Sequence, residues 1–369
     1  MHIDFTQIIA ELSEKKAFTR IFNELRPGSE YIFKDMLPEQ TSPEYHVSSD
    51  YMMVRSAMAG LVGTDSAYPR TGFVETGKQA LSTLKIANAV DLTESAQRRL
   101  QLLAAANNLN GPAEVLNFFN KVIVQPHFDT AEWLRAQALT NFDDTAVATK
   151  IDWQFGQAKA TVLYKRESGW DLPKRTGNDG YGGTTSKFWD DIIAAGDKLG
   201  YKIAKIVMNR TTFKTIVNNP VNKILVRTAS DDGRTFVVAR TNDAGTELVI
   251  DGRYTVSIDV YDGAGDVYDI STGTLKQIPF MPDGVVMVMG VYRKSRIYTA
   301  GEGSTRGDTA TSLGYTHIAP TVEGKNVPGR WGRVFVPQNA QWRLTAEGVT
   351  NMIPVVSDPK LYVLMRTEV

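Results

Sequence analysis

Residues 111–164 read GPAEVLNFFNKVIVQPHFDTAEWLRAQALTNFDDTAVATKIDWQFGQAKATVLY, and this stretch decides how the rest of the chain is interpreted. Its first part predicts a helix from residue 112 to about residue 140, because Gly111 can cap it and proline suits the first helical position. Apolar residues then recur at the spacing of one helix face, at Val115, Phe118, Phe119, Val122 and Ile123. Pro126 interrupts the pattern, so one kinked helix and two short helices both remain open.

The second part of the stretch, residues 145–164, predicts a β-hairpin. Two kinds of side chain alternate with the period of a strand: β-branched or aromatic residues at 147, 149, 151 and 153, and small or charged residues at 148, 150 and 152. Gly156 supplies a turn. The other predicted elements are arranged around this helix and hairpin.

The composition excludes several classes of protein. The chain has 369 residues, 42% apolar and 22% charged, which indicates a folded protein of roughly two to three domains. Lys plus Arg and Asp plus Glu both number 41, whereas proteins whose main task is to grip nucleic acid are usually basic. The absence of cysteine excludes disulfides and thiolate chemistry. No apolar run approaches the roughly 18 residues of a membrane span, and the start carries no signal-peptide pattern, so no membrane partner is expected.

Two short amphipathic helices are predicted before residue 27. Phe5 and Ile8 belong to the apolar stripe of the first, and Phe18 and Phe22 to that of the second. So small a pair cannot bury both stripes by itself. The helices therefore dock on the body of their own chain or reach a neighbouring subunit, and the four residues are candidate intersubunit contacts on the second hypothesis.

Residues 45–90 read as an extended arm in which glycine and proline recur. Short β-like pieces lie between them, at 51–54 and 81–86, and the apolar residues are too sparse for an independent core. The arm is either an ordinary long surface hairpin or a segment that a partner covers. Arg55, Arg70 and Lys78 are its candidate intersubunit contacts.

The remaining elements follow in order along the chain. A helix is predicted at 91–108 with Thr93 as its cap, and a glycine-rich connector at 165–186. An α/β module at 187–300 is predicted to contain helices at 187–199 and from Thr211 or Thr212 to 217, with strands at 203–208, 235–240, 247–250, 255–261 and 285–289. Residues 301–330 read as loop, and strands are predicted at 333–336, 341–345, 352–356 and 361–365.

Several patterns imitate functional motifs without meeting their requirements. The glycines of 301–307 resemble a dinucleotide loop, but the third is one position late and no periodic helix follows. Asp259, Asp262 and Asp266 lack the spacing of an EF-hand and its terminal glutamate, so a turn is favoured over a calcium loop. The four histidines do not pair at metal-ligand spacing. We therefore predict no catalytic residue, no cofactor and no metal.

Charge is distributed unevenly along the neutral chain. Residues 1–60 carry an acidic excess and residues 293–333 a basic one. These are either solvated faces or complementary patches that meet between subunits.

Three stretches carry a resemblance to a known family. A hairpin strand ends in Asp152 and Gly156, although Trp153-Gln154 is inserted there relative to the family pattern. The turn at 282–284 (Pro-Asp-Gly) precedes an apolar strand, and Pro-Val at 354–355 with Asp-Pro at 358–359 precedes the last strand. With the order of elements, these stretches resemble the major capsid proteins of tailed bacteriophages, in particular the lambda-like capsid protein E family.

The resemblance implies an α+β chain of the HK-ninety-seven-type capsid fold. Its parts would be an N-terminal arm (1–44), an extended loop lying over a neighbour (45–90), a peripheral domain with spine helix and hairpin (91–186), an axial domain (187–318) and C-terminal strands returning to the peripheral domain (319–369). The chain would be a structural protein, not an enzyme, that self-assembles into hexamers and pentamers and forms an icosahedral head around double-stranded DNA.

The same resemblance implies the partners of the chain. They would be copies of itself, portal, scaffolding and decoration proteins, and packaged DNA contacted non-specifically, with assembly in the host cytoplasm and the virion as destination. Lys78 or Lys85 could form the lysine–asparagine cross-link of some relatives only beside an acid that the sequence does not place. Because the chain starts at Met1, no fused scaffold or removed leader is expected.

Three other classes compete with a phage capsid protein. An encapsulin, a cellular cage that holds enzyme cargo, would share the fold. A tail tube or baseplate protein would assemble without forming a closed shell. An enzyme would need a site built from scattered carboxylates such as Asp190, Asp191 and Asp259, and would be a monomer or small oligomer with a deep polar pocket.

Overall fold

The structure, a computed structural model, describes residues 17–25, 27–55, 73–95, 98–99, 102, 117–140, 148–152, 159–163, 170–200, 203–222, 240–242, 245–250, 254–269, 274–290, 313–335, 344–356 and 361–368. Helices and β-sheets occur together in this part of the chain, which confirms the mixed α+β class. Within it, no helix is long and apolar enough to cross a membrane.

The helices that position the rest of the molecule are α1 (Ala17–Glu24), α2 (Phe33–Met36), α3 (120–140), α4 (Phe188–Lys198) and α5 (Arg210–Asn218). Two 3-10 turns lie at Gly177–Asp179 and Pro220–Asn222. The predicted central helix is α3, which consists of a π-helical turn, Asn120–Val124, followed by an α-helix, Gln125–Thr140. It continues through Pro126, so it is one helix, and residues 111–116 lie outside the described range. The predicted cap of α5 is wrong, because Asn209 accepts the Thr212 N–H at 2.8 Å.

The first sheet contains β1 (Glu39–Thr41), β4 (Leu84–Leu92), β14 (Gly314–Ala319), β15 (Trp331–Phe335) and β16 (Leu344–Val356). β16 lies at its centre, antiparallel to β4 on one side and to β15 and β14 on the other, and β1 adds to β14 in parallel. Two predictions are corrected here. Residues 341–345 and 352–356 are not two strands, because β16 runs unbroken for 13 residues. Residues 314–319, expected to be loop, form β14 of this sheet.

Gly348, in the middle of β16, explains why that strand was missed. A glycine inside a strand pattern suggests an interruption, but here it permits a close approach of α3. A Cβ at Gly348 would lie 2.6 Å from Ile123 Cγ2 and 2.8 Å from His127 Nε2. The glycine is therefore needed for packing between sheet and helix, not for a turn.

The second sheet has the order β17-β13-β7-β10-β9-β8, with β7 (Ile203–Met208), β8 (Arg240–Asn242), β9 (Gly245–Ile250), β10 (Tyr254–Val260), β13 (Val285–Gly290) and β17 (Tyr362–Arg366). The final strand, β17, pairs with β13, so this strand belongs to the second sheet, whereas β15 and β16 belong to the first. The segment from Trp170 also packs here, since the Leu172 N–H donates to Leu364 O at 3.0 Å and Arg175 bridges to Thr367.

Three further pairs of strands form two-stranded sheets: β2 (His46–Arg55) with β3 (Phe73–Ser82), β5 (Ala148–Asp152) with β6 (Lys159–Leu163), and β11 (Ala264–Asp269) with β12 (Thr274–Pro279). The second pair is the predicted hairpin, whose turn at Gly156 lies outside the described residues. The third pair was not predicted, because its strands lack clean apolar alternation.

Two apolar clusters hold the sheets and helices together. The larger lies between α1, α2, α3, the first sheet and one face of the second, and includes Phe22, Phe119 and Met287. The smaller lies between the other face of the second sheet and helices α4 and α5, and includes Ile192 and Ile216. The second sheet is thus covered on both faces, in agreement with the unbroken apolar run of β13.

Helix α1 covers an edge of the first sheet. Thr19 Oγ1 donates to Gly332 O at 2.7 Å and accepts the Gly332 N–H at 3.3 Å, and the Asn23 side chain makes the equivalent pair with the backbone of Arg330 at 2.6 and 2.8 Å. These two side chains pair with backbone groups at the edge of β15, as a neighbouring strand would.

Candidate functional site

The ribbon of β2 and β3 is the first candidate for an intermolecular contact. Its ten-residue strands pair in register from His46 opposite Ser82 to Arg55 opposite Phe73, a length of roughly 30 Å. Among the described residues neither strand pairs with a third. A two-stranded ribbon is marginally stable alone in water, so this one is suited to gain stability by packing on another chain.

The base of the ribbon is fixed to the first sheet. Thr83 Oγ1 donates to Tyr45 O at 3.1 Å, and His317 Nε2 lies 2.9 Å from Glu44 O. The Ser42 N–H donates to Ile318 O at 3.0 Å just before the ribbon begins. Both strands of the ribbon are therefore held at its base, and β3 continues almost directly into β4.

A buried network of ionised groups lies beneath this base. Glu39, on β1, pairs with Arg330 and with Arg135 Nη2, the latter at 2.9 Å. Arg135, on α3, also lies 3.4 Å from Glu132 and donates through Nε to Thr316 Oγ1 at 2.9 Å. Two carboxylates thus meet two guanidinium groups, so the charge inside balances, as buried ions require.

The network joins segments that are distant in sequence. Glu132 Oε1 accepts the backbone N–H of Phe33 at 2.6 Å and the hydroxyl of Tyr261 at 3.3 Å. One carboxylate on α3 therefore ties α2 to the end of β10. The network consequently fixes α3, the segment leading to the ribbon and the two sheets relative to one another.

The two carboxyl groups of this network respond differently to burial. Burial raises the pKa of Glu132, an effect that its hydrogen bonds with Arg135 and Phe33 only partly offset. Burial also acts to raise the pKa of Glu39, but the charges of Arg330 and Arg135 outweigh it, and the net pKa is lowered. Glu39 is therefore the firmly ionised partner of the two arginines.

A second buried polar cluster repairs the helix at Pro126. Pro126 has no N–H to give to the carbonyls of the π-helical turn that precedes it. Asn88 Nδ2, from β4, donates to one of these carbonyls, Val122 O, at 3.0 Å. Asn88 Oδ1 faces His127 Nε2 at 2.9 Å; because this oxygen only accepts, Nε2 carries the proton and Nδ1 accepts from Thr350 Oγ1 at 3.3 Å.

His127 is fixed as a neutral ring by this arrangement. It is 1% exposed and packs edge-on against Phe22 with the ring centroids 5.0 Å apart. Burial, assisted by the charge of Arg330, lowers the pKa of His127 to about 3. This histidine therefore serves packing and hydrogen bonding.

The candidate contacts named from the sequence have separate outcomes. Phe18 and Phe22 are 0% exposed within this chain's own core, so they have no surface for a neighbour, and their docking on the body of the chain is the correct alternative. Arg55 and Lys78 lie on the ribbon, opposite Phe73 and Asp50, and remain predictions. Phe5, Ile8 and Arg70 lie outside the described residues.

The carboxylates considered for an enzymatic site do not converge. Asp191 is buried and engaged by Arg175 at 2.6 Å and by the hydroxyl of Tyr181 at 2.9 Å. Asp190 pairs with Lys187 on the surface of the same helix, and Asp259 pairs with Lys205 on the neighbouring strand. Across the described ranges, no group of three or more His, Cys, Asp or Glu side chains is placed to hold a metal ion.

The residues that sequence reasoning missed are the buried polar ones. Glu39, Glu132, Arg135 and Arg330 are ordinary charged residues in sequence, and their pairing spans up to 291 positions. One signal was available, since Arg135 lies three residues after Glu132, on the same face of a helix predicted to be central.

Comparisons with known proteins agree with this architecture. No protein-family model matches the sequence, and no curated protein matches it significantly. A solved structure described as a candidate capsid protein of a prophage (E. coli CFT073) is similar over 100% of both chains, with a TM-score of 0.55 and 10% identity.

Two other solved structures are similar at lower scores. The mature capsid of bacteriophage PhiM1 matches with a TM-score of 0.47 and 10% identity over 93% of this chain and 90% of that one. The SrpI encapsulin of Synechococcus elongatus PCC 7942 matches with a TM-score of 0.42 and 10% identity over 95% and 94%.

At the level of the whole chain, the fold is therefore similar to that of the prophage capsid protein.

Proposed function

We propose that this protein is the major capsid protein of a tailed bacteriophage, a structural shell component and not an enzyme. The observation that carries the proposal is the likeness to the prophage capsid protein over 100% of both chains. The resemblance of the sequence to lambda-like capsid proteins points the same way. On this proposal the chain has the HK-ninety-seven-type architecture.

Specific parts of the molecule then acquire roles. α3 serves as the spine helix and the first sheet as the body of the peripheral domain, while the second sheet with α4 and α5 serves as the axial domain. The β2–β3 ribbon serves as the extended loop, which supports the proposal because it is anchored at its base yet has no third strand among the described residues. Burial against a neighbouring copy supplies the stability that the ribbon lacks.

Assembly proceeds through repeated contacts between identical chains. Heterologous contacts that close on themselves give rings, and we propose hexamers and pentamers that tile an icosahedral head. Portal, scaffolding and decoration proteins are its further partners, and packaged DNA is contacted without sequence preference. The formal net charge of zero supports this last point, because a strongly basic inner wall would bind DNA tightly.

The test is direct observation of assembly by the purified full-length chain. Sedimentation velocity and negative-stain electron microscopy are expected to show closed shells, or rings that convert into them. Particles carrying DNA when isolated from phage-producing cells support the capsid assignment, whereas closed shells that enclose protein cargo and no DNA identify an encapsulin. Open tubes indicate a tail component, and a persistent monomer near 40.8 kDa at high concentration contradicts every shell assignment.

A further inference from the structure

The loop that joins β14 to β15 is a compact turn with its own hydrogen bonds. The Gly324 N–H donates to Thr321 Oγ1 at 3.0 Å, and the Asn326 N–H donates to Thr321 O at 3.1 Å. Pro320 and Pro328, at the two ends of the turn, form an isolated β-bridge. These contacts hold the loop in one shape, so it places its side chains at fixed positions beside the sheet.

Three residues lie in one row across the first sheet next to this loop. Asn351 of β16 is directly opposite Lys85 of β4 on one side and Ala319 of β14 on the other. Directly opposite residues of antiparallel strands project to the same face of the sheet. That face is the one away from α3, because the preceding residue of β16, Thr350, faces His127 of α3. Lys85 and Asn351 are therefore neighbours on the far face of the sheet.

An ion pair passes over Asn351 in this row. Lys85 Nζ pairs with Glu323, which follows Pro320 in the loop. Since Lys85 lies on one side of β16 and the loop leaves the sheet on the other side, the pair spans β16 at position 351. The side chain of Asn351 is fixed by the same loop, because its Nδ2 donates to Pro320 O at 2.6 Å. An amine, a carboxamide and a carboxylate thus meet at one place.

The carboxamide of Asn351 is buried and only partly hydrogen-bonded. Asn351 is 3% exposed, and Val349 and Ile353, its neighbours on the same face of β16, are buried as well. Asn351 Oδ1 and Glu323 Oε2 are both buried, and within the described ranges neither accepts a hydrogen bond. A buried acceptor without a donor is costly. A proton on Glu323 that is donated to Asn351 Oδ1 satisfies both oxygens, and Lys85 carries such a proton.

We propose that Lys85 and Asn351 form an isopeptide bond within the chain, with Glu323 moving the protons. Glu323 takes a proton from Lys85 Nζ, and the free amine attacks Asn351 Cγ while the protonated carboxyl donates a hydrogen bond to Oδ1. Glu323 then gives its proton to Nδ2, the Cγ–Nδ2 bond breaks and ammonia leaves. The new amide nitrogen gives up its second proton, which ammonia carries away as ammonium. One amide bond replaces another, so no oxidant, reductant or cofactor is consumed.

The surroundings favour this reaction. A lysine amine becomes a nucleophile when an adjacent base removes its proton, and the hydrogen bond from Lys85 lowers the pKa of Glu323, so this base is ionised. Strand pairing holds the amine beside the carboxamide, which replaces a collision between separate molecules. Lys85 is half-exposed, so ammonia has a route to solvent. The bond forms once in each chain, so a slow reaction is sufficient.

The bond fastens the β2–β3 ribbon to the centre of the first sheet. β4 follows β3 almost directly, and Lys85 is the second residue of β4. A covalent link from Lys85 to β16 therefore stops any separation of β4 from the sheet that starts at the ribbon. Both partners belong to one chain, so the bond joins no subunits and forms whether or not the chain assembles.

Mass spectrometry of the purified full-length chain tests the bond. The intact mass is expected to be lower than the mass of the sequence by one molecule of ammonia. After trypsin digestion, residues 79–98 and 344–360 are expected to appear as one branched peptide, because trypsin does not cleave after an acylated lysine. An unlinked Lys85 gives separate peptides at 79–85 and 86–98 instead.

Three variants assign the roles of the residues. Lys85→Arg keeps the positive charge but has no nucleophilic amine, so it is expected to retain the full mass of its sequence. Glu323→Gln removes the base and is expected to lower the linked fraction by about tenfold or more. Lys325→Arg, in the same loop, is the matched control and is expected to show the same loss of ammonia as the wild type.

Three results contradict the bond or its mechanism. A wild-type chain that keeps its full mass after prolonged incubation at neutral pH has not formed the bond. A loss of ammonia that persists in Lys85→Arg shows that an asparagine has cyclised onto its own backbone instead. Full linkage in Glu323→Gln refutes the role of the carboxylate. None of these readouts depends on assembly, so the shell function stands or falls separately.

Discussion

Replacing Asn88 by alanine should destabilise the chain through the helix that it repairs. The substitution removes the donor to Val122 O and the acceptor of the His127 Nε2–H, which lie 3.0 and 2.9 Å from the amide atoms. A buried polar group left without a partner costs roughly 1–3 kcal/mol. Asn88 is only half-buried, which lets water reach part of the site, so the expected loss is about 2–4 kcal/mol.

The measurement is the free energy of unfolding in urea, followed by tryptophan fluorescence on unassembled chain. Ala89→Ser is the matched control, because Ala89 is the next residue of β4 and faces solvent. Its effect should stay within about 0.5 kcal/mol.

A double-mutant cycle isolates the role of Pro126. Alanine at position 126 restores an N–H that can reach the carbonyls of the π-helical turn, so Asn88→Ala should cost about 1 kcal/mol less in the Pro126→Ala background. Additive effects of the two substitutions, or a loss below about 0.5 kcal/mol for Asn88→Ala alone, would show that the amide does not replace the missing helix donor.

Three other perturbations follow from the same region. Gly348→Ala should cost about 1–3 kcal/mol of stability in thermal melts, because its Cβ would overlap Ile123 and His127. Gly196→Ala is the control: a Cβ there, inside α4, would lie 3.7 Å from its nearest neighbour, so this substitution should be neutral or stabilising. The pKa of His127 is about 3 in the folded chain against an ordinary 6.5, so between these pH values the unfolded chain binds more protons than the folded one. The contribution of a neutral His127 to the free energy of unfolding is therefore fully present above pH 6.5 and should fall by about 2–3 kcal/mol by pH 4.5. A His127→Gln variant whose stability declines equally steeply would contradict this. Glu39→Ala leaves two buried guanidinium groups without their shared carboxylate and should cost about 3–5 kcal/mol in urea unfolding. Arg20→Ala is the control: it breaks only an exposed ion pair and should change the free energy of unfolding by less than about 0.5 kcal/mol. Equal effects of the two substitutions would refute the burial argument.

Local patterns in the sequence predicted the elements that depend on local chemistry. The central helix, the following hairpin and the strands at 203–208 and 285–289 are present, because apolar periodicity reports which face of an element is buried. Pro126 left two alternatives, and the choice between them depends on Asn88, which lies 34 positions from the carbonyl it satisfies.

Tertiary contacts decided the features that the sequence did not predict. Gly348 reads as a break in a strand, yet it marks the crossing of a helix. The last strand joins the second sheet because β13 accepts it in register, from Val285 opposite Arg366 to Met289 opposite Tyr362. Which strands pair depends on which sheet edges are free in the folded chain, and the residues of one strand do not by themselves specify its partner.

The position of α1 on β15 has a consequence for synthesis of the chain. Thr19 and its partner Gly332 are 313 residues apart, so a helix near the start of translation waits for a strand made near the end. Throughout elongation Phe18 and Phe22, fully buried in the finished molecule, have no sheet to cover them. Contacts of such long range slow folding and leave apolar surface open to chaperones and to other nascent chains. Complete burial of α1 is thus tied to completion of the C-terminal strands, and a ribosome that stops early releases a chain whose α1 lacks its partner strand β15.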